Sequence, residues 1–180
     1  KVYLKLEPYV SNSLWRITEN IWVSGRNYNN NSHCLLHYDG ETWEALINGP
    51  ADLDYNPNEI TGIIQGVYLD SESNMLFVLT HIGFYQCEYN DELICEDISD
   101  NHVWQSAMYS IEANAQNDIF FGGAYFDIWH YNGSGFHLYD GFPNSGRIRS
   151  LDVKDDFVVC AGGYYSSNQL FVIRGYRNSQ

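Results

Sequence analysis

The sequence predicts an all-β protein of the β-propeller class. Three observations support this: no long stretch has helical periodicity, short apolar segments alternate with turn residues, and similar segments recur at a period of about 40 to 50 residues. A blade of four antiparallel strands has about this length. We therefore predict about four four-stranded blades, forming either a small closed ring or part of a ring of about six to eight blades.

Each predicted unit begins with two strand-like segments. The second is the more regular: it starts with Asn or Asp, continues through β-branched and aromatic residues, and ends in glycine in three of the four units. Such composition is typical of strands bounded by turns. These segments are residues 20–25, 74–80, 117–123 and 156–163, and the strands before them lie near residues 14–18, 66–70, 108–113 and 148–153.

The third segment of the first and third units contains one shared cluster. It reads His-Tyr-Asp-Gly at residues 37–40 and His-Tyr-Asn-Gly at residues 130–133. Asp-Gly and Asn-Gly favour a type I′ turn, because both central residues accept positive φ. Catalytic sites do not usually repeat at the period of a fold, so we interpret His37 and His130 as structural.

The second unit differs at this segment. Aligning its tyrosine with the other two places Glu88 at the histidine position. A three-residue turn at residues 90–92 would put Cys87 opposite Cys95, where a disulfide and two buried thiols both fit. Neither the cysteines nor the histidines have the spacing of metal ligands, so the sequence predicts no metal and no cofactor.

The fourth unit ends without a clear fourth strand, while a lone strand-like segment lies at residues 2–6. That segment could complete the last blade and remove an exposed edge, or other blades or subunits could complete the ring. We predict a single propeller domain or propeller fragment. Its units lie at about 11–60, 61–102, 103–144 and 145–180, with residues 1–8 as the completing strand.

The repeated pattern resembles a known group. A strand ending in glycine, then Tyr-Asx-Gly, then an aromatic residue is similar to kelch-type and related bacterial secreted β-propeller repeats. The pattern is carried by Gly122, Gly123, Tyr131 and Phe136, by Gly25, Tyr38 and Trp43, and in part by Gly162 and Gly163. This resemblance implies a fold and no single activity, since such families include adaptors, sugar-binding proteins, oxidases and glycan-active enzymes.

Charge and length restrict the classes of partner. Nine basic and 23 acidic residues give a net charge of −14, which predicts no binding to nucleic acid or to anionic membrane surfaces. No apolar run approaches the roughly 20 residues that span a bilayer. Scarce lysine, acidic charge and a start at Lys1 without methionine lead us to expect an extracytoplasmic or secreted protein.

The predicted binding site lies where the long loops meet. In a four-strand meander the turns between the second and third strands, and between successive blades, share one face, which we call the loop face. Tyr, Trp and Asn there suit a sugar or a peptide, so we predict non-enzymatic binding of a glycan or a protein. The predicted ligand-binding residues are Tyr28, Asn30, Asp52, Asp54, Tyr55, His102, Trp104, Tyr125, Phe126, Tyr164 and Tyr165.

The alternative is a glycan-active enzyme, glycosidase-like or lyase-like, on the same face. It would need two carboxylates about 5 to 9.5 Å apart. The sequence selects no pair and we predict no catalytic residue; a pair could come from Asp52, Asp54 or Glu59 with Asp100 or Asp127 opposite. Arg147 and Arg149, at an inner strand, could bind a carboxylate near a central channel.

Overall fold

The computed structural model describes residues 10–17, 20–27, 29, 32–50, 59–99, 106–139, 141–142 and 145–176, without the side chains of 10–13 and 15–17. Within these ranges the structure consists of strands and turns and contains no helix. By their internal packing the residues divide into two compact units, Lys1–Ile98 and Ser99–Gln180, which are described separately.

The first unit contains two antiparallel sheets, each formed by four consecutive strands. Sheet 1 has the order β1-β2-β3-β4 and sheet 2 the order β5-β6-β7-β8. The strands are β1 Val10–Ile17, β2 Asn20–Asn27, β3 Ser32–Tyr38, β4 Trp43–Pro50, β5 Ile64–Asp70, β6 Met75–Thr80, β7 Phe84–Asn90 and β8 Glu92–Asp97.

The second unit contains one sheet of four strands and one of three. Sheet 3 has the order β9-β10-β11-β12 and sheet 4 the order β13-β14-β15. The strands are β9 Met108–Ala115, β10 Asp118–Gly123, β11 Ile128–Tyr131, β12 Phe136–Tyr139, β13 Gly146–Lys154, β14 Phe157–Tyr164 and β15 Leu170–Tyr176.

The predicted fold class is confirmed: four antiparallel meander sheets follow one another along the chain. The segments that begin with Asn or Asp form β2, β6, β10 and β14, although Asn74, Asn117 and Asp156 lie immediately before the last three of these strands. Strand β10 is buried at every position. Sheet 4 has three strands among the described residues. Residues 2–6 lie outside the described residues, so their completion of this sheet stays a prediction, as do the unit boundaries.

Each unit has an apolar core between its two sheets. In the second unit Phe120, Ile128, Ile148 and Val158 are buried together. Burial of one such side chain stabilises the fold by about 1.5 to 3 kcal/mol. The glycine predicted at the end of the second strand allows this contact, since a Cβ on Gly122 would come within 2.3 Å of the Ile148 side chain.

The predicted hairpin turns form, with a different geometry from the one expected. Asp39 Oδ1 accepts hydrogen bonds from the backbone N–H groups of Glu41 and Thr42, both at 2.7 Å, and Asn132 caps its own turn in the same way. Gly40 has a φ of 104°, whereas the φ of Asp39 is not positive. A type I′ turn needs two adjacent residues with positive φ, so that prediction is wrong.

The hairpin of the second sheet is shorter than those of the first and third sheets. Asp91 alone lies between paired residues there, at a φ of 64°, whereas four residues lie between the paired residues of the other two hairpins. The alignment of Glu88 with His37 and His130 stays a prediction, because the hairpins differ in length.

Cys87 and Cys95 face each other in register on β7 and β8 and form a disulfide, with their Cα atoms 4.1 Å apart. Cys34 and Cys160 are buried free thiols. On the corresponding hairpins of sheets 1 and 3, His37 pairs with Glu44 and His130 pairs with His137.

Candidate functional site

The described part of the predicted site lies in the second unit. Of the predicted residues, Tyr28, Asn30, Asp52, Asp54, Tyr55, His102 and Trp104 lie outside the described residues. The other four are brought together by two neighbouring loops, one joining β10 to β11 and one joining β14 to β15: Tyr125, Phe126, Tyr164 and Tyr165.

A tight turn sets the positions of the first two aromatic residues. Tyr125 and Phe126 have φ values of 58° and 64°, a region that bulky residues rarely adopt. The turn is closed by the N–H of Asp127 donating to the carbonyl of Ala124 at 3.0 Å, and by the N–H of Gly123 donating to the carbonyl of Asp127 at 2.9 Å. Tyr125 consequently points outward and is 50% exposed, while Phe126 points inward and is 2% exposed.

The inward residue anchors both loops to the core. The Phe126 ring meets Phe171 edge-on at 4.2 Å and Tyr164 at 5.2 Å between ring centroids. A Cβ on Gly146 would come within 2.2 Å of the same ring, so glycine is needed there. Phe126 thus offers almost no surface to a ligand, and its role in the structure is to fix the loop that presents Tyr125.

The outward residues form an exposed aromatic pair. Tyr125 and Tyr165 meet edge to face with ring centroids 6.0 Å apart, and the Tyr165 hydroxyl accepts a long hydrogen bond, 3.4 Å, from the N–H of Tyr125. The Tyr165 backbone N–H donates to the carbonyl of Ser145 at 2.8 Å. The Arg147 guanidinium carbon lies 5.7 Å from the centre of the Tyr165 ring. We call these three side chains the Tyr125–Tyr165–Arg147 platform.

A groove continues from the platform over the outer face of sheet 4, with a volume of about 600 Å³. One wall is β13, with Arg147, Arg149 and Ser150, and the other is β15, with Leu170 and Val172. The register shifts between Ile148 and Ser150, so the consecutive Arg149 and Ser150 both line the groove. The Arg149 guanidinium carbon lies 4.9 Å from the centre of the Tyr109 ring.

A smaller apolar cavity of about 480 Å³ opens beside the C-terminal end of β15, between sheets 3 and 4. Its walls include Phe120, Ile128, Tyr139 and Val158. A third, of about 320 Å³, lies in the first unit beside the buried His33, whose pKa is lowered by that burial. Arg174 and the exposed Tyr176 also line the cavity between sheets 3 and 4. The platform and its groove are the stronger site, because two arginines there lie over aromatic rings.

The carboxylates expected of an enzyme do not gather at this groove. Asp52, Asp54 and Asp100 lie outside the described residues, Glu59 is exposed, and Asp127 accepts a hydrogen bond from the Ser106 hydroxyl. None of the described residues lining the groove is acidic. Among the described residues no cluster of three His, Cys, Asp or Glu side chains could hold a metal ion.

Sequence reasoning missed one perturbed carboxyl. Burial, with a smaller effect of the Asp152 charge, raises the pKa of Glu112 to about 7. Glu112 is on β9, directly opposite Phe120 on β10. An acidic residue inside the apolar segment 108–113 was the available signal. Glu112 lines neither the groove nor the platform, so its raised pKa is not a property of the candidate site.

Comparison with known proteins supports the fold class and does not identify an activity. No protein-family model matches the chain, and no curated protein sequence matches it. One solved structure that matches is described as YCF48 bound to D1 peptide. The two share 10% sequence identity with a TM-score of 0.54, over 99% of this chain and 81% of that chain. The likeness is one of fold.

YCF48 is a β-propeller protein, so the match supports the propeller class assigned from the four sheets. The narrower likeness to kelch-type secreted repeats stays a prediction. In the part of the chain that the structure describes, no helix is long and apolar enough to cross a membrane.

Proposed function

We propose that this chain is a non-enzymatic binding propeller that contacts a protein or peptide partner through the Tyr125–Tyr165–Arg147 platform. The observation that carries this proposal is the pair of half-exposed tyrosines held by two loops that are themselves anchored in the core by Phe126. The solved structure of similar fold contains a bound peptide, which supports a peptide as the class of ligand.

The physical argument is one of preorganisation. Exposed tyrosines offer large contact areas at a small cost in conformational entropy, and they dominate many recognition surfaces. Here the Tyr125 backbone is fixed by two hydrogen bonds of its turn, and the Tyr165 backbone by one to Ser145. A ligand would therefore meet rings whose positions are already set, so little ordering free energy is lost on binding.

An extracytoplasmic or secreted location belongs to the same proposal. The supporting observation is the Cys87–Cys95 disulfide, since such bonds persist in oxidising compartments and are rare in the cytosol. A glycan stays an alternative ligand, because tyrosine rings also stack on sugars. Glycan hydrolysis is not favoured, because the described lining of the groove has no acidic side chain.

The proposal is tested by selecting a phage-displayed library of random peptides on the immobilised full chain. Enriched peptides are then measured in solution by fluorescence polarisation. We expect the Tyr125→Ala/Tyr165→Ala double variant to bind them at least about tenfold more weakly, as for aromatic hot spots at other interfaces.

Tyr176→Ala is the matched control, because Tyr176 is also an exposed tyrosine of the second unit but lies outside the platform. It should bind the peptides as the unsubstituted chain does. Equal binding by the double variant would contradict the proposal. A library that yields no peptide, beside a glycan array that yields a ligand dependent on Tyr125, would replace the peptide by a glycan.

A further inference from the structure

The groove beside the platform carries positive charge in an acidic protein. The chain has nine basic and 23 acidic residues. Two of the basic residues, Arg147 and Arg149, are exposed and line this one groove. Neither makes an ion pair with any residue that the structure describes. Positive charge without a carboxylate partner is unexpected where carboxylates are in such excess.

Both guanidinium groups are held against aromatic rings. Arg147 lies over Tyr165, at 5.7 Å, and Arg149 over Tyr109, at 4.9 Å. A ring under one face of a guanidinium fixes its plane while its N–H edges stay available. Those edges match the two oxygens of a carboxylate, so each arginine is arranged to form a bidentate pair.

The opposite wall of the groove is apolar and strongly exposed. Leu170 is 86% exposed and Val172 is 70% exposed, and both are on the outer face of β15. The floor between the walls consists of small residues, Ala161 and Gly163, which pair with Val172 and Leu170 across the sheet. A ligand lying here would meet arginines on one side and aliphatic side chains on the other.

We infer that this groove of sheet 4 binds an acidic peptide segment in which carboxylate side chains alternate with apolar ones. Its carboxylates pair with Arg147 and Arg149, and its apolar side chains pack on Leu170 and Val172. Charge complementarity at the groove selects this partner, because its lining contains two arginines and no acidic side chain. A second copy of this chain, with its net charge of −14, is a weaker candidate because the two copies would repel each other over their whole surfaces. The inference rests on the proposed peptide-binding function and names the chemistry of the peptide.

The test uses three short fluorescein-labelled peptides against the full chain: alternating Glu and Leu, alternating Gln and Leu, and alternating Lys and Leu. We expect binding of the Glu peptide only, weakening as NaCl is added, because exposed charge pairs are screened by salt. Arg147→Gln/Arg149→Gln should weaken that binding by about tenfold, and Arg→Lys at both positions by less, because charge is kept while the bidentate fork is lost.

Arg174→Gln is the control, since Arg174 is exposed on the same sheet outside the groove and should leave binding unchanged. The NaCl titration of the unsubstituted chain tests the inference even where a variant does not fold. Equal binding of the Gln peptide, or salt-independent binding, would overturn it, as would tighter binding of a polygalacturonate oligomer. If library peptides still depend on Tyr125 while the Gln peptide binds as well as the Glu peptide, the proposed function stands and only this inference fails.

Discussion

Sheets 1 and 2 link their strands by different chemistry. In sheet 1 the His37 ring stacks on Trp22 at 4.2 Å, and its Nε2 lies 2.9 Å from Asn20 Oδ1. Burial lowers the pKa of His37, partly opposed by nearby acidic groups. In sheet 2 Cys87 is fully buried and bonded to Cys95. One sheet therefore joins its strands by a stacked, hydrogen-bonded ring and the other by a covalent link.

Sheet 3 repeats the arrangement of sheet 1 with a charge added. His130 stacks on Phe120 at 4.3 Å, and its Nε2 lies 2.8 Å from Asp118 Oδ1. The other oxygen of Asp118 accepts a hydrogen bond from Asn114 at 2.7 Å. What recurs is an aromatic ring under a histidine and a polar partner for that histidine. This explains the repeated His-Tyr-Asx sequence as packing, since a buried polar group needs a hydrogen-bond partner.

The ring under the histidine is the element that sheets 1 and 3 share most closely, so removing it should have the largest effect. Phe120→Ala and Trp22→Ala should each lower the free energy of unfolding by about 3 to 5 kcal/mol, because each empties a buried site. Urea unfolding followed by circular dichroism measures the change. Leu14→Ala, at a 62% exposed site of sheet 1, is the control and should change little. If Trp22→Ala lowered the free energy of unfolding and Phe120→Ala did not, the ring under the histidine would not have the same role in the two sheets.

The covalent link of sheet 2 comes next. Cys87→Ala/Cys95→Ala should lower the free energy of unfolding by about 2 to 3 kcal/mol, as expected for a disulfide that closes a short loop. The cysteines are separated by eight positions in the sequence. The same urea titration with and without a reducing agent gives an internal check, since reduction should destabilise the unsubstituted chain and leave the double variant unchanged. Equal stability of both chains would show that the hairpin holds without its bond.

The sequence predicted the repeated strands because their pattern is local. An Asx, an apolar run and a closing glycine identify β2, β10 and β14, and the glycine is explained by the close approach of Ile148 to Gly122. The pairing of Cys87 with Cys95 was predicted from the short turn between them, because the length of a turn sets the register of the strands that it joins.

The site was predicted only in part, for a different reason. Tyr125 was identified because it lies in a long loop. Its left-handed backbone conformation was not predicted, because bulky residues rarely adopt positive φ. Phe126 differs from its neighbour by 48 percentage points of exposure, 2% against 50%, because one turn directs the two side chains oppositely. The elevated pKa of Glu112 depends on packing against the next sheet, which a single strand segment does not reveal.

The charge that distinguishes sheet 3 from sheet 1 can be exchanged. Asp118→Asn should lower the free energy of unfolding by about 1 to 2 kcal/mol, because a hydrogen bond to a charged group becomes a neutral one in a partly buried place. Asn20→Asp in sheet 1 is the reciprocal variant and should give His37 a carboxylate partner. Urea titrations at neutral and alkaline pH measure both. If Asp118→Asn were neutral, the charge in sheet 3 would add nothing to the arrangement of sheet 1.

Glu112 makes sheet 3 sensitive to pH. Its pKa is about 7 in the folded chain against 4.5 for an ordinary glutamate, so between these values the folded chain holds a proton that the unfolded chain has released. The free energy of unfolding should therefore fall as pH rises through this range, by about 1 kcal/mol after allowance for solvent screening. Urea titrations across this range should show a shallower fall for Glu112→Gln. An unchanged slope would assign the pH dependence to another group.

The smallest effect concerns the contact between the two hairpins of the first unit. The Tyr89 ring meets His37 at 4.9 Å and Trp22 at 5.5 Å, and its hydroxyl donates to the Glu44 carboxylate, which together with slight burial raises the pKa of Tyr89 to about 12. Tyr89→Phe keeps the ring contacts and should lower the free energy of unfolding by less than about 1 kcal/mol, because the hydrogen bond is exposed to solvent. Tyr89→Ala should cost more, since it removes the rings' contact as well. Equal destabilisation of the two variants in urea would mean that the Tyr89 hydroxyl, and not its ring, holds the disulfide hairpin to sheet 1. Packing of the Tyr89 ring on His37 would then not contribute to stability.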